Sequence, residues 1–445
     1  MKLSLITRCF VKKVYTFIVL LIALFFSSTV EADDIMDITR AAGYDVLDVN
    51  RPKASIAIDG KTGNILWQDN IDAIRDPASM SKVMTLYLVY EAINEGRLTE
   101  ETVIRATETD QAIAQIYAIS NNKIVAGVDY TVGELITMTA VPSSNATTIM
   151  LANYLSNNDP DAFIDLMNAK AQELGMTNTK WNNASGAVAV SFDGYYAPQR
   201  YNNEQTNETT ARDLAILVYH FVKKYPAILN HTKDPVVTVK AGTPYEETFE
   251  TYNYSLPGAK YGIEGVNGLK TGSSPSAAFN YIATVNRGGQ EVISVIMGVG
   301  DWADQDGEYY RHPFGNAIIE KAYADYEYRL LLKAGEQEIN GQKYQLKEDF
   351  YGVLKKGSDP VYLIDDQGNL SLENGLESVS PKINSNQKVS KIENSILSTV
   401  KEVIPSSAED QSGLFDLFFK KGLVVIPLLV VLLGIVAYEL KRKKK

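Results

Sequence analysis

The sequence predicts an α+β fold, an α/β sandwich in which helices cover an antiparallel sheet. Alternating apolar residues at 54–58 and 64–68 flank the turn letters "DGKTG" and predict two paired strands near the start. A mostly helical stretch follows over 110–180. Alternating segments at 277–285 and 291–299, separated by "NRGGQ", predict a second hairpin. Strands on both sides of a helical middle favour one sheet built from both ends of the domain.

The helices are predicted from apolar periodicity and from their end residues. After Ser79 the chain is apolar on nearly all sides to about Asn94, and Gly96 ends the pattern, so we expect a helix inside the domain. Thr209 or Thr210 is expected to cap the later helix in the segment "NETTARDLAILVYHFVKKYP". The other predicted helices are "VGELITMTAV", "NATTIMLANYL", "DAFIDLMNAKAQELG" and the closing "NAIIEKAYADYEYRLLLKAG".

A change in pattern separates a main domain from a smaller one. Residues 36–333 contain the strands and helices above. In residues 334–390 the segments "GQKYQLKEDFYGVLKKG" and "PVYLID" alternate like short strands, and we predict a small all-β domain there. Residues 391–421 are polar and are expected to form a stalk or linker.

The two ends of the chain predict export and anchoring. Residues 1–32 combine a basic start, a short apolar centre and small residues before Ala32, which is typical of a cleaved secretory signal; a retained membrane helix is the alternative. Residues 422–440 are nearly uncharged and long enough for a transmembrane helix. The basic tail 441–445 is expected on the cytoplasmic side. We therefore expect a single C-terminal membrane anchor with the rest of the chain outside the cell.

Composition excludes several classes of chemistry. The only cysteine, Cys9, lies in the predicted signal, so we expect neither disulfides nor thiolate chemistry in the mature chain. The three histidines, His220, His231 and His312, have no close spacing that would favour a metal site. We expect neither a metal nor a cofactor. A net charge of −11 disfavours nucleic acid as a partner.

The segment "PASMSK" places Ser79 three residues before Lys82, at the start of the predicted buried helix. Positions i and i+3 lie on one face of a helix, and burial lowers the pKa of a lysine, so Lys82 is a plausible base for a Ser79 nucleophile. The alternative is a helix cap followed by a surface lysine. The pair alone does not decide between them, because such pairs arise often by chance.

Two further motifs follow in the chain and favour the catalytic interpretation. "PSSN" supplies Ser143 and Asn145 ahead of an apolar helix, and "GLKTGSS" supplies Lys270-Thr271-Gly272 ahead of a strand. The order Ser-x-x-Lys, Ser-x-Asn, Lys-Thr-Gly is a known signature of serine β-lactamases and penicillin-binding proteins. A second "KTG" at 61–63 lies in a tight turn before Ser79 and is explained by turn chemistry.

With these motifs the chain resembles the low-molecular-mass penicillin-binding proteins, the serine-type D-alanyl-D-alanine carboxypeptidases. The segments "SIAIDGKTGNILW", "NNASG" and "TTARDLA" also resemble that family, and the likeness covers about 36–390. The resemblance implies a penicillin-binding, β-lactamase-like transpeptidase domain. It further implies three partners: the D-Ala-D-Ala end of peptidoglycan stem peptides, β-lactam antibiotics and the cell membrane.

The resemblance also implies roles for individual residues. Ser79 would attack the terminal D-Ala-D-Ala bond, Lys82 would accept its proton, and Ser143 would relay a proton to the departing D-alanine. Asn145 would bind the substrate amide and orient Lys82. The remaining substrate-binding residues would lie in the third motif. Lys270 and Thr271 would hold the terminal carboxylate, and Gly272 would let the strand approach the ligand. The backbone N–H of Ser273 would form the oxyanion hole with that of Ser79.

Several alternatives stay open at this point. No Glu-x-x-Leu-Asn segment lies between the second and third motifs, which argues against a class A β-lactamase, but a DD-transpeptidase shares the acylation step. A non-catalytic surface adhesin or wall-binding protein would explain the anchor without the motifs. Arg311 either helps to hold the carboxylate or is a solvated surface arginine.

Overall fold

The computed structural model describes residues 34–392. The predicted signal at 1–32, the predicted membrane segment at 422–440 and nearly all of the predicted stalk lie outside these residues. Within the described range, no helix is both long enough and apolar enough to cross a bilayer.

The described part of the chain contains nine α-helices, separated by loops and short 3₁₀ turns. They are α1 (Ile35–Ala41), α2 (Lys82–Asn94), α3 (Glu108–Ala114), α4 (Val132–Ala140), α5 (Asn145–Ser156), α6 (Pro160–Leu174), α7 (Ala211–Lys224), α8 (Leu229–Thr232) and α9 (Gly307–Asp325).

The same part of the chain contains sixteen β-strands. They are β1 (Ala54–Asp59), β2 (Ile65–Asp69), β3 (Val103–Arg105), β4 (Asp129–Thr131), β5 (Val236–Val239), β6 (Glu247–Glu250), β7 (Val266–Ser274), β8 (Ala278–Arg287), β9 (Gln290–Val299), β10 (Tyr326–Leu332), β11 (Gly335–Ile339), β12 (Gln342–Leu346), β13 (Phe350–Lys355), β14 (Tyr362–Ile364), β15 (Asn369–Leu372) and β16 (Gln387–Lys391).

The main sheet has five antiparallel strands in the order β2-β1-β9-β8-β7. β1 pairs with β9 from Ala54 opposite Met297 to Asp59 opposite Val292, so the sheet joins the two ends of the main domain. The predicted α+β fold with an antiparallel sheet is therefore confirmed. β7 lies at the edge of this sheet, with its inner side paired to β8.

Apolar side chains cover both faces of the main sheet. Along β1, Ile56 and Ile58 pack into a large cluster with α2 and the other helices of the middle region, whereas Ala57 packs into a second cluster with α1 and α9. This alternation follows from the two-residue period of a strand. α2 is buried on nearly all sides, as its composition predicts, and it brings the residues before its start into the interior.

The chain forms two compact units. Among the described residues the first unit comprises 34–332, 349–365 and 369–387, and the second comprises 333–348, 366–368 and 388–392. In the second unit β11 pairs with β12, and β12 pairs with β16. The first unit contains the main sheet and every residue of the predicted site.

The prediction for the closing helix is wrong in its limits. α9 begins at Gly307 and ends at Asp325, and the following residues form β10, which pairs with β13. The early part was missed because Pro313 normally disfavours a helix interior. The late part was misread because "YEYRLLL" contains enough apolar residues to suit either a helix or a half-buried strand.

The cap of α7 resolves the choice between two threonines. Thr210 is the N-cap residue, and its side chain accepts a hydrogen bond from the Asp213 N–H at 3.1 Å. The preceding Thr209 instead forms an isolated bridge with Arg75, next to the turn that carries Ser79.

Candidate active site

Ser79 lies in a 3₁₀ turn, Ala78–Ser81, that directly precedes α2. The sequence placed it at the first residues of the helix; the helix in fact begins at Lys82. Ala78 adopts a left-handed backbone conformation with φ of 47°, which brings the chain sharply into the turn. The Ser79 side chain is partly exposed, whereas the turn residues on either side of it are buried.

Asp76 fixes this turn to the main sheet. Its carboxylate accepts hydrogen bonds from the Ala78 N–H at 2.7 Å, Ser274 Oγ at 2.8 Å and Ser276 Oγ at 2.6 Å. Its carbonyl oxygen accepts one from Asn280 Nδ2 at 3.0 Å. A buried carboxylate with this many donors holds its surroundings in one arrangement. Sequence analysis did not single out Asp76, and only the fold brings its partners together.

Lys82 is fully buried, so the alternative of a surface lysine is wrong. Its Nζ donates to Ser79 Oγ at 2.9 Å, to Asn145 Oδ1 at 2.9 Å and to the Ser185 carbonyl at 2.8 Å. Burial, and then the charge of Lys270, hold the pKa of Lys82 well below its ordinary value. An amine that readily loses its proton, at hydrogen-bond distance from a serine hydroxyl, has the geometry of a general base.

Asn145, at the start of α5, is held by two hydrogen bonds to one carbonyl oxygen. Its Nδ2 donates to the Ser120 carbonyl at 2.9 Å, and its backbone N–H donates to the same oxygen at 2.9 Å. This fixes which end of the side-chain amide faces Lys82, so the oxygen accepts from the amine. Helix capping by Ser144, whose Oγ accepts from the Thr147 N–H, sets the position of this first turn.

Ser143 and Lys270 form the second hydroxyl–amine pair of the site. Lys270 Nζ donates to Ser143 Oγ at 2.8 Å and to the Thr271 carbonyl at 3.1 Å. Ser143 is 4% exposed and Lys270 is 2% exposed. Burial and, after it, the charge of Arg311 lower the pKa of Lys270 to about 7, and the charge of Glu308 opposes this change. Lys270 can therefore exchange a proton near neutral pH.

β7 carries the third motif along the edge of the sheet, close to the turn of Ser79. A Cβ atom at Gly272 would lie 2.6 Å from the Pro77 carbonyl oxygen and 2.9 Å from the Met80 nitrogen. Only glycine permits this approach of strand to turn. Thr271 is buried and Ser273 is partly exposed. The structure thus brings all eight predicted site residues into one region of the first unit.

Arg311 is fully buried, which contradicts the alternative of a solvated surface arginine. Its Nη1 donates to Ser273 Oγ at 2.9 Å and to the Asn280 carbonyl at 3.3 Å, and its Nη2 pairs with Glu308. Ser273 Oγ in turn donates to Glu308 Oε1 at 2.7 Å. Sequence analysis missed Glu308; its only signal was its spacing of three residues from Arg311.

The loop "NNASG" contributes backbone groups that sequence analysis did not assign. The Ser185 carbonyl accepts from Lys82, as described above, and Asn183 Oδ1 accepts from the Gly186 N–H at 2.6 Å. Gly186 has φ of 93°, and a Cβ there would lie 1.9 Å from the Ala78 carbonyl oxygen. The Asn-x-Ser-Gly pattern is the signal that could have located this loop, since it suits a tight Asx turn.

The earlier "KTG" serves a turn, as predicted. The Thr62 N–H and Thr62 Oγ1 both donate to Asp59 Oδ1, each at 2.7 Å, and Lys61 pairs with Glu291.

Across residues 34–392, no group of three or more histidine, cysteine or acidic side chains is arranged to hold a metal ion. The chemistry that the site offers is nucleophilic acyl transfer by a serine with two neighbouring amines.

Models of two protein families match the chain. One is described as D-alanyl-D-alanine carboxypeptidase and matches residues 45–301, more than half of the chain. The other is described as a domain of unknown function and matches residues 328–390.

Individual proteins agree with the first match. The D-alanyl-D-alanine carboxypeptidase DacF of Bacillus subtilis is 24% identical over 328 residues, or 71% of this chain and 73% of that protein. The solved structure of PBP3, a peptidoglycan synthesis regulatory factor from Streptococcus pneumoniae, has a TM-score of 0.65 at 24% identity and covers 77% of this chain and 99% of its own. Penicillin-Binding Protein D2 from Listeria monocytogenes, solved in the ampicillin-bound form, has a TM-score of 0.50 at 25% identity. The match covers 63% of this chain and 99% of that protein.

Proposed function

The chain belongs to the D-alanyl-D-alanine carboxypeptidase family, penicillin-binding serine-type hydrolases, and from this premise we propose how its own residues remove the terminal D-alanine of a peptidoglycan stem peptide. The observation that carries the proposal is the contact of Lys82 Nζ with both Ser79 Oγ and Asn145 Oδ1. This joins the first two motifs of the sequence around one hydroxyl.

In the acylation step, Ser79 Oγ attacks the carbonyl carbon of the penultimate D-alanine, and Lys82 accepts the hydroxyl proton. The oxygen of the tetrahedral intermediate lies between the backbone N–H groups of Ser79 and Ser273. The support for this position is the close packing of β7 on the Ser79 turn at Gly272. Removal of one such donor typically costs about 3 kcal/mol of transition-state stabilisation.

Departure of D-alanine requires a proton on its nitrogen. Ser143 Oγ delivers that proton and is resupplied by Lys270, whose Nζ lies 2.8 Å away. The bond between the two alanines breaks, and the peptide remains as an ester on Ser79. Before hydrolysis, Lys82 gives up the proton that it took from Ser79, and Lys270 regains the proton that it lost through Ser143, so both amines return to their starting states. Water then attacks the ester carbon, one water proton passes through Lys82 to Ser79 Oγ as the ester bond breaks, and the shortened peptide leaves.

Recognition of the substrate end is assigned to the third motif. Lys270 and Thr271 bind the terminal carboxylate, and Asn145 binds the peptide amide. A β-lactam presents a reactive amide and a carboxylate in the same relation, so it acylates Ser79 in place of the peptide. The ampicillin-bound form of Penicillin-Binding Protein D2, at 25% identity, supports extending this reaction to the present chain.

The test is covalent labelling with a fluorescent penicillin, followed by mass spectrometry of the labelled peptide. We expect one adduct on Ser79, complete loss of labelling in Ser79→Ala, and normal labelling in the control Ser156→Ala at the far end of α5. A folded protein that takes no label would contradict the proposal and favour the adhesin.

Product analysis separates the remaining enzyme activities. Release of free D-alanine from a stem pentapeptide, with slow turnover of the lactam, supports the carboxypeptidase. Transfer of the acyl group to an added amino acceptor in preference to water would indicate a DD-transpeptidase, and rapid lactam hydrolysis a β-lactamase.

We also propose that the protein works at the outer face of the cell membrane. The support is the sequence alone, with its signal-like residues 1–32, apolar residues 422–440 and basic tail 441–445. This arrangement would keep the active site beside its wall substrate.

A further inference from the structure

A glutamate side chain already occupies the anion-binding position beside the third motif. Glu308 accepts a hydrogen bond from Ser273 Oγ through Oε1 and pairs with Arg311 Nη2 through Oε2. Ser273 lies two residues after Thr271, which the proposed function assigns, together with Lys270, to the terminal carboxylate of the substrate. The carboxylate of Glu308 therefore lies next to the place where a substrate carboxylate must bind.

In the ion pair of Glu308 and Arg311, Glu308 is the side chain that reaches the solvent. The Arg311 side chain has no exposed surface, whereas the Glu308 side chain is 28% exposed. Arg311 is held from the inside by the Asn280 carbonyl. Because Glu308 is the partly exposed partner of a buried guanidinium, an anion that binds Arg311 from solvent has to replace Glu308.

Charge balance limits what can happen at this position. A buried guanidinium without an anion is strongly unfavourable, so Glu308 cannot simply leave Arg311 unpaired. The terminal carboxylate of a stem peptide carries the same charge and the same two acceptor oxygens as the Glu308 side chain. Replacing one carboxylate by the other keeps Arg311 paired, and the partly exposed Glu308 side chain can then turn to water.

We propose that Glu308 is an internal competitor for the carboxylate of the substrate. In the free enzyme it binds Arg311 and Ser273. When the carboxylate of a stem peptide or of a β-lactam binds beside Lys270 and Thr271, it also takes Arg311 and Ser273 as partners, and Glu308 gives up both. This inference rests on the proposed function. It makes Glu308 a specificity-determining residue, because a ligand without a carboxylate cannot take its place on Arg311.

The competition has a measurable consequence for binding. The apparent affinity of a ligand falls in proportion to the fraction of protein that is competent to bind it. If Glu308 occupies Arg311 nine-tenths of the time or more, its removal strengthens binding of a carboxylate ligand by about 10-fold or more. A ligand that ends in a neutral amide gains nothing from the same change.

The experiment compares two peptide donors, one ending in D-Ala-D-Ala with a free carboxylate and one ending in D-Ala-D-Ala amide. KM is measured for each with the wild type and with Glu308→Gln, which keeps the shape of the side chain and removes its charge. Where turnover of the amide donor is too slow, its inhibition constant against the acid donor replaces KM. We expect KM for the acid donor to fall by about 10-fold and the value for the amide donor to change by less than about 2-fold.

A matched control is Glu320→Gln, which also removes the carboxylate partner of an arginine, Arg287, at a different ion pair of α9. It is expected to change neither donor's KM. A purely structural role of Glu308 would instead shift both donors together, or raise KM for the acid donor, and either result overturns the inference.

A second measurement needs no variant and holds even if Glu308→Gln fails to fold. In a crystal structure of the wild-type protein acylated by ampicillin, the drug carboxylate should contact Arg311 or Ser273, with Glu308 no longer bonded to Arg311. A Glu308–Arg311 pair that persists in the acyl-enzyme overturns the inference alone. Failure of ampicillin to acylate the wild type overturns the proposed function and this inference with it.

Discussion

At the scale of single residues, the proposed mechanism divides its proton transfers between two buried lysines. Lys82 faces the Ser79 hydroxyl, and Lys270 faces the Ser143 hydroxyl. Desolvation is the first cause of the lowered pKa of both side chains, and each lies near another cation. In the proposed mechanism Lys82 acts as a base and must be neutral, whereas Lys270 supplies a proton and must be charged. The reaction therefore needs opposite protonation states of two similar groups.

This requirement predicts a bell-shaped pH profile of kcat/KM. Activity rises with pH as Lys82 loses its proton, and falls with pH as Lys270 loses its proton at about 7. In Lys270→Arg, a guanidinium that stays protonated should move the falling limb to higher pH, with a lower maximum rate. The measurement is the acylation rate from pH 5 to pH 10. A falling limb that stays near neutral pH in the variant would show that another group titrates there.

At the scale of secondary-structure elements, the packing of β7 against the turn that carries Ser79 positions the two proposed oxyanion donors. Gly272 allows this packing because an added Cβ would lie 2.6 Å from the Pro77 carbonyl oxygen. Asp76, just before the same turn, accepts hydrogen bonds from Ser274 at the end of β7 and from Ser276 in the loop that follows. The nucleophile and the substrate-binding strand thus share one set of contacts.

Gly272→Ala should therefore separate the strand from the turn. Overpacking of this kind lowers the free energy of unfolding by about 1–3 kcal/mol. A displacement of the reacting groups by about 1 Å can reduce the acylation rate about 100-fold. The measurements are the acylation rate with labelled penicillin and the thermal unfolding midpoint. The control is Gly133→Ala in α4, where a Cβ makes only ordinary contacts of 3.4 Å or more; equal rates for the two variants would refute the argument.

The sequence predicted those parts of the fold and site that depend on local patterns. The helices α4 to α7 and the hairpin of β8 and β9 follow from periodicity and caps, and the three motifs follow from residue identity and order. Glu308 and Asp76 were missed because the serines that they contact, Ser273 for Glu308 and Ser274 and Ser276 for Asp76, lie far away in the chain. Arg311 was left undecided for the same reason, since its burial depends on α9 packing against β8. The start of α9 was not predicted because Pro313 lies inside the helix.

At the scale of the whole molecule, the first compact unit contains all the residues of the site. The proposed membrane segment, 422–440, is remote from them in the chain. The proposed functions of the two regions, peptide cleavage and membrane attachment, should therefore be separable.

A chain that stops after residue 421 should appear in the culture medium and not in the membrane fraction. Its kcat and KM on a soluble pentapeptide should stay within about 2-fold of the full chain, because the unit that carries the site is intact. Replacing only the basic tail 441–445 by neutral residues serves as the control and should leave most of the protein in the membrane fraction. Recovery of the truncated protein in the membrane fraction would contradict the proposed anchor.

The pairing of β1 with β9 has a consequence for how the protein is made. Residues 54–59 leave the ribosome more than 200 residues before residues 290–299, their neighbours in the main sheet. Until then the nascent chain exposes an unpaired apolar edge, and long-range pairing of this kind is slow. Ser79 and Lys270 are likewise apart until the last strands arrive, so the nascent enzyme cannot react with antibiotic. Penicillin labelling would therefore time the completion of folding during synthesis.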